Sequence, residues 1–313
     1  KSERLAMTTP GTTQSAFEEI RIRVHDGVEI YGRRYRAPDS DRRPLLCLAG
    51  LTRNSRDFHA LATRLSGAGE SGAEDKARDV YTIDIRGRGQ SGNAGDWRQY
   101  AVPIEMLDVQ DFMASQHLHG AAVLGTSRGG FVAMVLAAAQ PSLVGPVILN
   151  DVGPVIERDG LIRISSFVGR SKPPLTWEAA ARRLQEGEAR FFPNLAEDDW
   201  ERLARQRFNE ADGKPVSGYD PALSHVFDAV NDGPAPELWA QFMALKEMPF
   251  LVIRGALSDL LSEATVAEMT ARHPNCRSHT VAGEGHAPLL EDAATQDAIA
   301  GFLADNDAPG NSG

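Results

Sequence analysis

Three side chains of this sequence, a serine, a histidine and a carboxylate, sit in local patterns that would expose them for chemistry. The serine is Ser127, in the run Gly125-Thr126-Ser127-Arg128-Gly129. Apolar residues 121–124 precede the run, and an Ala-rich apolar segment follows it and stops at Pro141. That order predicts a buried strand turning sharply into a buried helix. The serine would hold a strained backbone conformation at the turn, with its hydroxyl raised above the sheet edge. Residues two before and two after the serine approach closely in such a turn, so both are small.

A serine hydroxyl at neutral pH is a poor nucleophile. It needs a base to take its proton and a carboxylate to orient that base and stabilise its cationic form. Among eight histidines, His286 is the candidate base. It stands in Gly283-Glu284-Gly285-His286-Ala287-Pro288, after a strand pattern and before the last helix pattern. That loop lies on the sheet edge that presents Ser127. His117 and His119 end an amphipathic helix, where the negative end of the helix dipole suits them. No carboxylate or cysteine stands at ligand spacing from them, so no metal site is expected there.

The favoured carboxylate is Asp259, which follows the strand pattern 250–254 and a short turn, again at the carboxyl edge. Asp151, after the strand pattern 143–150, is its rival and would equally cap the entry to the next segment. An oxyanion formed at the reacting carbonyl needs two backbone N–H donors. Arg128, at the helix start where amides are unpaired, supplies one, and Leu51, after Gly50, the other. The side chains of Arg53 and Arg128 would bind a substrate carboxylate or pair with nearby acids.

These residues need a framework. Residues 19–25 and 28–36 alternate around Asp26-Gly27, a two-residue hairpin signal. Residues 44–49 are continuously apolar, as in a strand buried on both faces. Further strand patterns cover 79–85, 143–150, 250–254 and 277–282. Helical spacing covers Phe58 to Leu65 and residues 104–117, 237–246, 262–273 and 289–303. Strands alternating with helices predict an α/β fold with a mostly parallel sheet covered on both faces. The rhythm breaks over residues 153–234, which show short helical segments, no strand pattern and many aromatics, between Gly153-Pro154 and Gly233-Pro234. That stretch predicts an inserted helical cap whose aromatics mostly form its own small core, with Phe167 and Trp177 as candidates for contacting substrate. The expected division is a core of 16–152 and 235–305, a cap of 153–234, and tails at 1–15 and 306–313.

Composition narrows the partners. The 313 residues carry a formal charge of −10, which argues against nucleic acid or an anionic membrane. Two cysteines make no disulfide framework, and Cys47 reads as a small hydrophobe in a strand. No apolar run reaches transmembrane length and the polar start lacks a signal-peptide core, so a cytoplasmic protein is expected. Gly87, Gly89 and Gly92 fit a dinucleotide-binding spacing, but residues 93–97 are no helix start to meet a pyrophosphate. No organic cofactor and no metal are expected. The expected partner is a small ester-type substrate, with a homodimer possible.

Four features together resemble the α/β-hydrolase superfamily over residues 19–303: the Ser127 run, the run Asp84-Ile85-Arg86-Gly87-Arg88-Gly89-Gln90-Ser91, the Asp259 turn, and Gly-His-Ala-Pro around His286. The resemblance is greatest to capped carboxylesterases, lactonases and carbon–carbon bond hydrolases. It implies an eight-stranded, mostly parallel sheet with an inserted helical cap, and a triad in the chain order Ser127, Asp259, His286. Some members place the acid at the position of Asp151. Many carry His-Gly where this chain has Ala49-Gly50, so that motif assigns no subgroup here. A serine nucleophile separates the chain from haloalkane dehalogenases and epoxide hydrolases, which use aspartate. The implied activity is hydrolysis of carboxylic esters through an acyl-enzyme on Ser127. Cleavage of a vinylogous 1,5-diketone or of a lactone is the alternative, and non-catalytic small-molecule binding a further one.

Overall fold

The computed structural model describes residues 16–68, 77–170, 172–228 and 237–307. The expectations for residues 1–15, for the expected hinge at Gly233-Pro234 and for the last residues of the chain lie outside that set.

The described residues open with the hairpin of β1 (Glu18–Arg23) and β2 (Glu29–Tyr35), turned at Gly27 with φ +88°. There follow β3 (Leu45–Leu48), α1 (His59–Leu65), β4 (Val80–Ile83), α2 (Val102–Ser115), β5 (Ala121–Thr126), α3 (Arg128–Ala139) and β6 (Val144–Asn150). Beyond an inserted segment come α7 (Trp239–Ala244), β9 (Phe250–Gly255), α8 (Glu263–Arg272), β10 (Cys276–Val281) and α9 (Ala293–Asp305). Among the described residues, eight strands form one sheet in the order β1-β2-β4-β3-β5-β6-β9-β10. The two pairings made by β2 are antiparallel and the others parallel.

Strand periodicity sorts the apolar residues onto two faces. Leu46, Leu48, Val123, Val147, Leu149 and Val252 pack with α2, α3 and α8. Their neighbours Leu45, Cys47, Leu124, Ile148, Leu251 and Ile253 pack with α1 and α9. All twelve are 4 % exposed or less. Burying each aliphatic side chain contributes about 1.5–3 kcal/mol. This double-sided burial explains why β3, β5 and β6 read as unbroken apolar runs.

The insertion between β6 and β9 holds α4 (Arg158–Phe167), α5 (Trp177–Glu188), α6 (Glu197–Arg207) and a short hairpin of β7 (Asn209–Ala211) with β8 (Lys214–Val216). The hairpin corrects the expectation of a strandless segment. Its loop, Asp212-Gly213, has positive φ at both residues, as a two-residue hairpin turn requires. At Asp26-Gly27 only Gly27 has positive φ, and the Val24 amide bonded to the Val28 carbonyl closes a three-residue loop, which corrects the expected two-residue turn there. Phe191, Phe192, Trp200 and Leu203 form a cluster of their own with Leu289.

The glycine-rich run 84–91 anchors this insertion. The Asp84 carboxylate accepts from the amides of Ser55 and Gln90, each at 2.7 Å. The Gly89 amide donates to the Gly218 carbonyl at 2.8 Å, and Asn209 Nδ2 donates to the Gly89 carbonyl at 2.6 Å. Gly89 has φ +56°, and a Cβ there would overlap the Asp84 carboxylate. The glycine spacing serves this docking turn, and α2 begins only at Val102.

Candidate active site: a serine, a histidine and a buried aspartate

The carboxyl ends of β3, β5, β6 and the loop after β10 meet at one edge of the sheet. At the end of β5 the chain reverses through Ser127, with φ +51° and ψ −115°. The amide of Ser127 donates to the Asn150 carbonyl at 2.9 Å, tying the turn to β6. A Cβ on Gly125 would lie 2.5 Å from the Gly129 carbonyl, and one on Gly129 would overlap the Leu48 carbonyl. The glycines therefore let helix α3 start immediately against the sheet, and the strain concentrates on the serine.

Ser127 Oγ lies 2.9 Å from His286 Nε2, and His286 Nδ1 lies 2.7 Å from Asp151 Oδ2. Asp151 is fully buried. Its Oδ1 accepts from the Gly255 amide at 2.9 Å and its Oδ2 from the Ser258 hydroxyl at 2.6 Å. Ser258 Oγ accepts in turn from the amides of Leu260 and Leu261, so its proton is directed at Asp151. With Asp151 accepting on every side, Nδ1 of His286 carries the proton and Nε2 turns its lone pair to the Ser127 hydroxyl. This is the geometry a general base needs.

The carboxylate on the histidine is thus Asp151, and the expectation of Asp259 is corrected. Asp151 directly follows β6, whose other neighbour is β5, so it emerges beside Ser127. Asp259 lies four residues past the end of β9 and is carried away from His286 Nδ1. It meets Arg163 on α4 in a two-pronged ion pair, at 2.5 Å to Nε and 2.8 Å to Nη2. Burial pushes the Asp259 carboxyl up, but the bonds and charge of Arg163 outweigh it and hold it below the usual carboxylate range. Gly160 of α4 makes the approach possible, since a Cβ there would lie 2.5 Å from the Asp259 carbonyl.

The Leu51 and Arg128 amides both border this site, and among the described residues neither has an internal acceptor. Their loops share a brace that the sequence reading missed. Arg88 Nε donates to the Leu51 carbonyl at 2.8 Å, and Arg88 pairs with Glu105 at 2.7 Å. Arg128 Nε pairs with the same carboxylate at 2.7 Å, and its Nη2 donates to the Tyr100 carbonyl at 2.6 Å. One buried acid on α2 therefore steadies both loops. Burial pushes Glu105 up, but Arg88 and Arg128 outweigh it and hold the carboxyl below its usual range. The Arg128 side chain is committed to this brace and is no clamp for substrate. The signal available was a pair of acids, Glu105 and Asp108, on the apolar face of α2 opposite Arg86 and Arg88. Arg86 takes Asp108 at 2.5 and 2.6 Å.

A cavity of about 450 Å³ stands over Ser127. Gly50, Leu51, Thr126 and His286 line the sheet side, and Ile164, Phe167, Leu184 and Glu188 the side of the insertion. Arg53 is in the wall, its Nε bonded to Asp57 at 2.5 Å. Phe167 is in the wall as expected, but Trp177 is not, which corrects its assignment. Trp177 starts α5, seven residues and about 10 Å along the axis before the cavity-lining Leu184. Its Nε1 donates to the Gly213 carbonyl at 3.1 Å and its ring lies under Arg205. Four arginines of the wall escaped the sequence reading: Arg163, Arg183, Arg190 and Arg207. No spacing marks them, because they come from different elements. Among the described residues no cluster of three or more His, Cys, Asp or Glu can hold a metal ion, and no helix is long and apolar enough to cross a membrane.

The strained serine between β5 and α3, its histidine and the sheet order define an α/β hydrolase. The model of the alpha/beta hydrolase family matches residues 45–298, and the chain belongs to that family. It is 37 % identical over 266 residues to the 3-hydroxybutyrate-oligomer hydrolase of Cupriavidus necator, covering 80 % of this chain and 85 % of that protein. It is 24 % identical over 228 residues to esterase YbfF of Escherichia coli, covering 68 % and 78 %. Among solved structures, an alpha/beta hydrolase from Novosphingobium aromaticivorans superposes with a TM-score of 0.84 at 36 % identity, covering 93 % of this chain and 99 % of the other.

Proposed function

We propose that this hydrolase cleaves carboxylic esters through an acyl-enzyme on Ser127. The observation that carries the reading is the unbroken hydrogen-bond chain from Ser127 through His286 to the buried Asp151. His286 Nε2 takes the hydroxyl proton as Oγ bonds to the ester carbonyl carbon, and Asp151 stabilises the imidazolium that forms. The tetrahedral oxyanion is met by the Leu51 and Arg128 amides. When the carbonyl re-forms, the alkoxy oxygen leaves and takes the proton from His286. Water then attacks the acyl-enzyme by the same steps, releasing the acid and restoring Ser127. Helices α4–α6 act as the cap of this site, excluding bulk water and selecting substrate by shape. The relatives that hydrolyse an ester oligomer, or are esterases by name, support the same reading.

The test is labelling by a fluorophosphonate together with a panel of p-nitrophenyl esters, lactones and vinylogous 1,5-diketones. Wild-type protein should be labelled and Ser127→Ala should not, with ester turnover lost in the same variant. Turnover of the diketone without turnover of any ester would overturn the ester reading in favour of carbon–carbon cleavage.

A further inference from the structure

The cavity wall has an unusual charge for a chain of −10. Among the described residues it contains five arginines, Arg53, Arg163, Arg183, Arg190 and Arg207, and a single carboxylate, Glu188. Three of the five are held by acids. Arg53 pairs with Asp57, Arg163 with Asp259, and Arg207 with Glu188, each at 2.5 Å. Asp57 and Asp259 do not line the cavity, whereas Glu188 does, and each pair neutralises its guanidinium. Glu188 stays ionised against burial because Arg207, then Arg53 and Arg163, hold its carboxyl below the usual range.

The other two differ. Among the described residues, Arg183 and Arg190 have no carboxylate partner. Arg183 Nη1 donates to the Lys172 carbonyl at 2.5 Å, and among the described residues its other nitrogens have no hydrogen-bond partner. Arg190 lies over the ring of Phe191, its guanidinium carbon 4.5 Å from the centroid, and Arg163 stands at the same distance from that ring. Both Arg183 and Arg190 are exposed and border the cavity on the side of the insertion, whereas Ser127 and His286 border it on the sheet side. A planar guanidinium fixed against an aromatic face offers two parallel donors, the arrangement that suits a carboxylate. A neutral ester gives such a group nothing that water does not.

We propose that the substrates are esters that carry a free carboxylate, and that Arg183 and Arg190 bind it while the ester carbonyl lies at Ser127. The proposal rests on ester hydrolysis at Ser127 and adds the charge of the substrate. Arg53, Arg163 and Arg207 are already paired with Asp57, Asp259 and Glu188, so the positive charge without a carboxylate partner in this wall is that of Arg183 and Arg190.

The experiment compares kcat/KM within two matched pairs. One pair is the linear dimer of 3-hydroxybutyrate as free acid and as its methyl ester, with the charge on the alcohol side. The other is monoethyl and diethyl glutarate, with the charge on the acyl side. We expect the acid to be preferred over its neutral partner by about tenfold or more in at least one pair, a factor equivalent to one charge-assisted contact. That ratio should fall to about one in Arg183→Gln/Arg190→Gln, and it should shrink in the wild type as salt screens these exposed groups. Arg182→Gln removes the same charge from the same helix outside the cavity wall and should leave the ratio in place. Equal rates within both pairs, or a preference that survives the double variant, would overturn the proposal while leaving ester hydrolysis standing. If no ester of either pair is turned over and no fluorophosphonate adduct forms, the ester reading itself fails and this proposal with it.

Discussion

Replacing Asp151 by asparagine separates the two acids near His286 most sharply. The carboxylate accepts three bonds, from Gly255 N–H, Ser258 O–H and His286 Nδ1. An amide has one acceptor oxygen, and the rigid Gly255 amide claims it. The NH2 group then faces His286 and drives Nδ1 into the acceptor role, which puts the ring proton on Nε2 facing Ser127. The base is lost through its tautomer. The charge is lost as well: a carboxylate and an imidazolium whose centres lie about 4 Å apart attract by about 4 kcal/mol at an effective dielectric near 20. By itself that is about three orders of magnitude in rate. With the tautomer effect added, kcat should fall by about 10⁴-fold. Asp259→Asn instead removes a partly exposed ion pair with Arg163, with side chains 26 % and 19 % exposed. It removes a charge that acts on His286 only through space and leaves the hydrogen bonds of His286 to Asp151 and Ser127 in place. The fall in kcat should therefore be less than about tenfold, as such partly exposed charges contribute on the order of 1 kcal/mol. The assay is steady-state hydrolysis of p-nitrophenyl butyrate by both variants, with thermal melts to show that each is folded. A crippled Asp259→Asn beside a mildly affected Asp151→Asn would refute the assignment.

Phe167→Ala should change the ratio of kcat/KM for bulky over small esters by about tenfold, because burying an aromatic against substrate is worth on the order of 1.5–3 kcal/mol. Trp177→Ala, outside the cavity, should leave that ratio in place and lower the melting temperature instead, since it loses the contacts to Arg205 and Gly213. The Glu105 brace carries a pH dependence with a definite sign. Its carboxyl titrates below the ordinary 4.5 in the folded protein, so its contribution to stability is complete above that pH and is lost as pH falls through the folded value. The gap in melting temperature between wild type and Glu105→Gln should therefore be steady near neutral pH and narrow below about pH 4.5; a gap that widens on acidification would contradict the brace.

Patterns confined to one stretch of chain were legible without the structure. The buried strands β3, β5 and β6 announced themselves as apolar runs because both of their faces are covered. Ser127 was legible because its turn demands small residues on both sides within five positions. His286 was legible from the glycines around it and its place before the last helix. The Asp212-Gly213 turn carries the same kind of local signal, but its strands are only three residues long, too short to show an alternating pattern.

Only the tertiary structure decided which carboxylate reaches the histidine. Asp151 and Asp259 each follow a strand at the same sheet edge, and the sequence favoured Asp259 because Asp151 could also cap the segment that follows it. The choice depends on the lateral position of β6 beside β5, on a Ser258 hydroxyl aimed at Asp151, and on Arg163 arriving from the insertion to take Asp259. These are long-range facts, set by how packed elements converge and not by any spacing along the chain. The Glu105 brace and the arginines of the cavity wall belong to the same category. Sequence spacing encodes the period of an element and the needs of a turn, whereas a charge finds its partner only after burial has brought distant elements together.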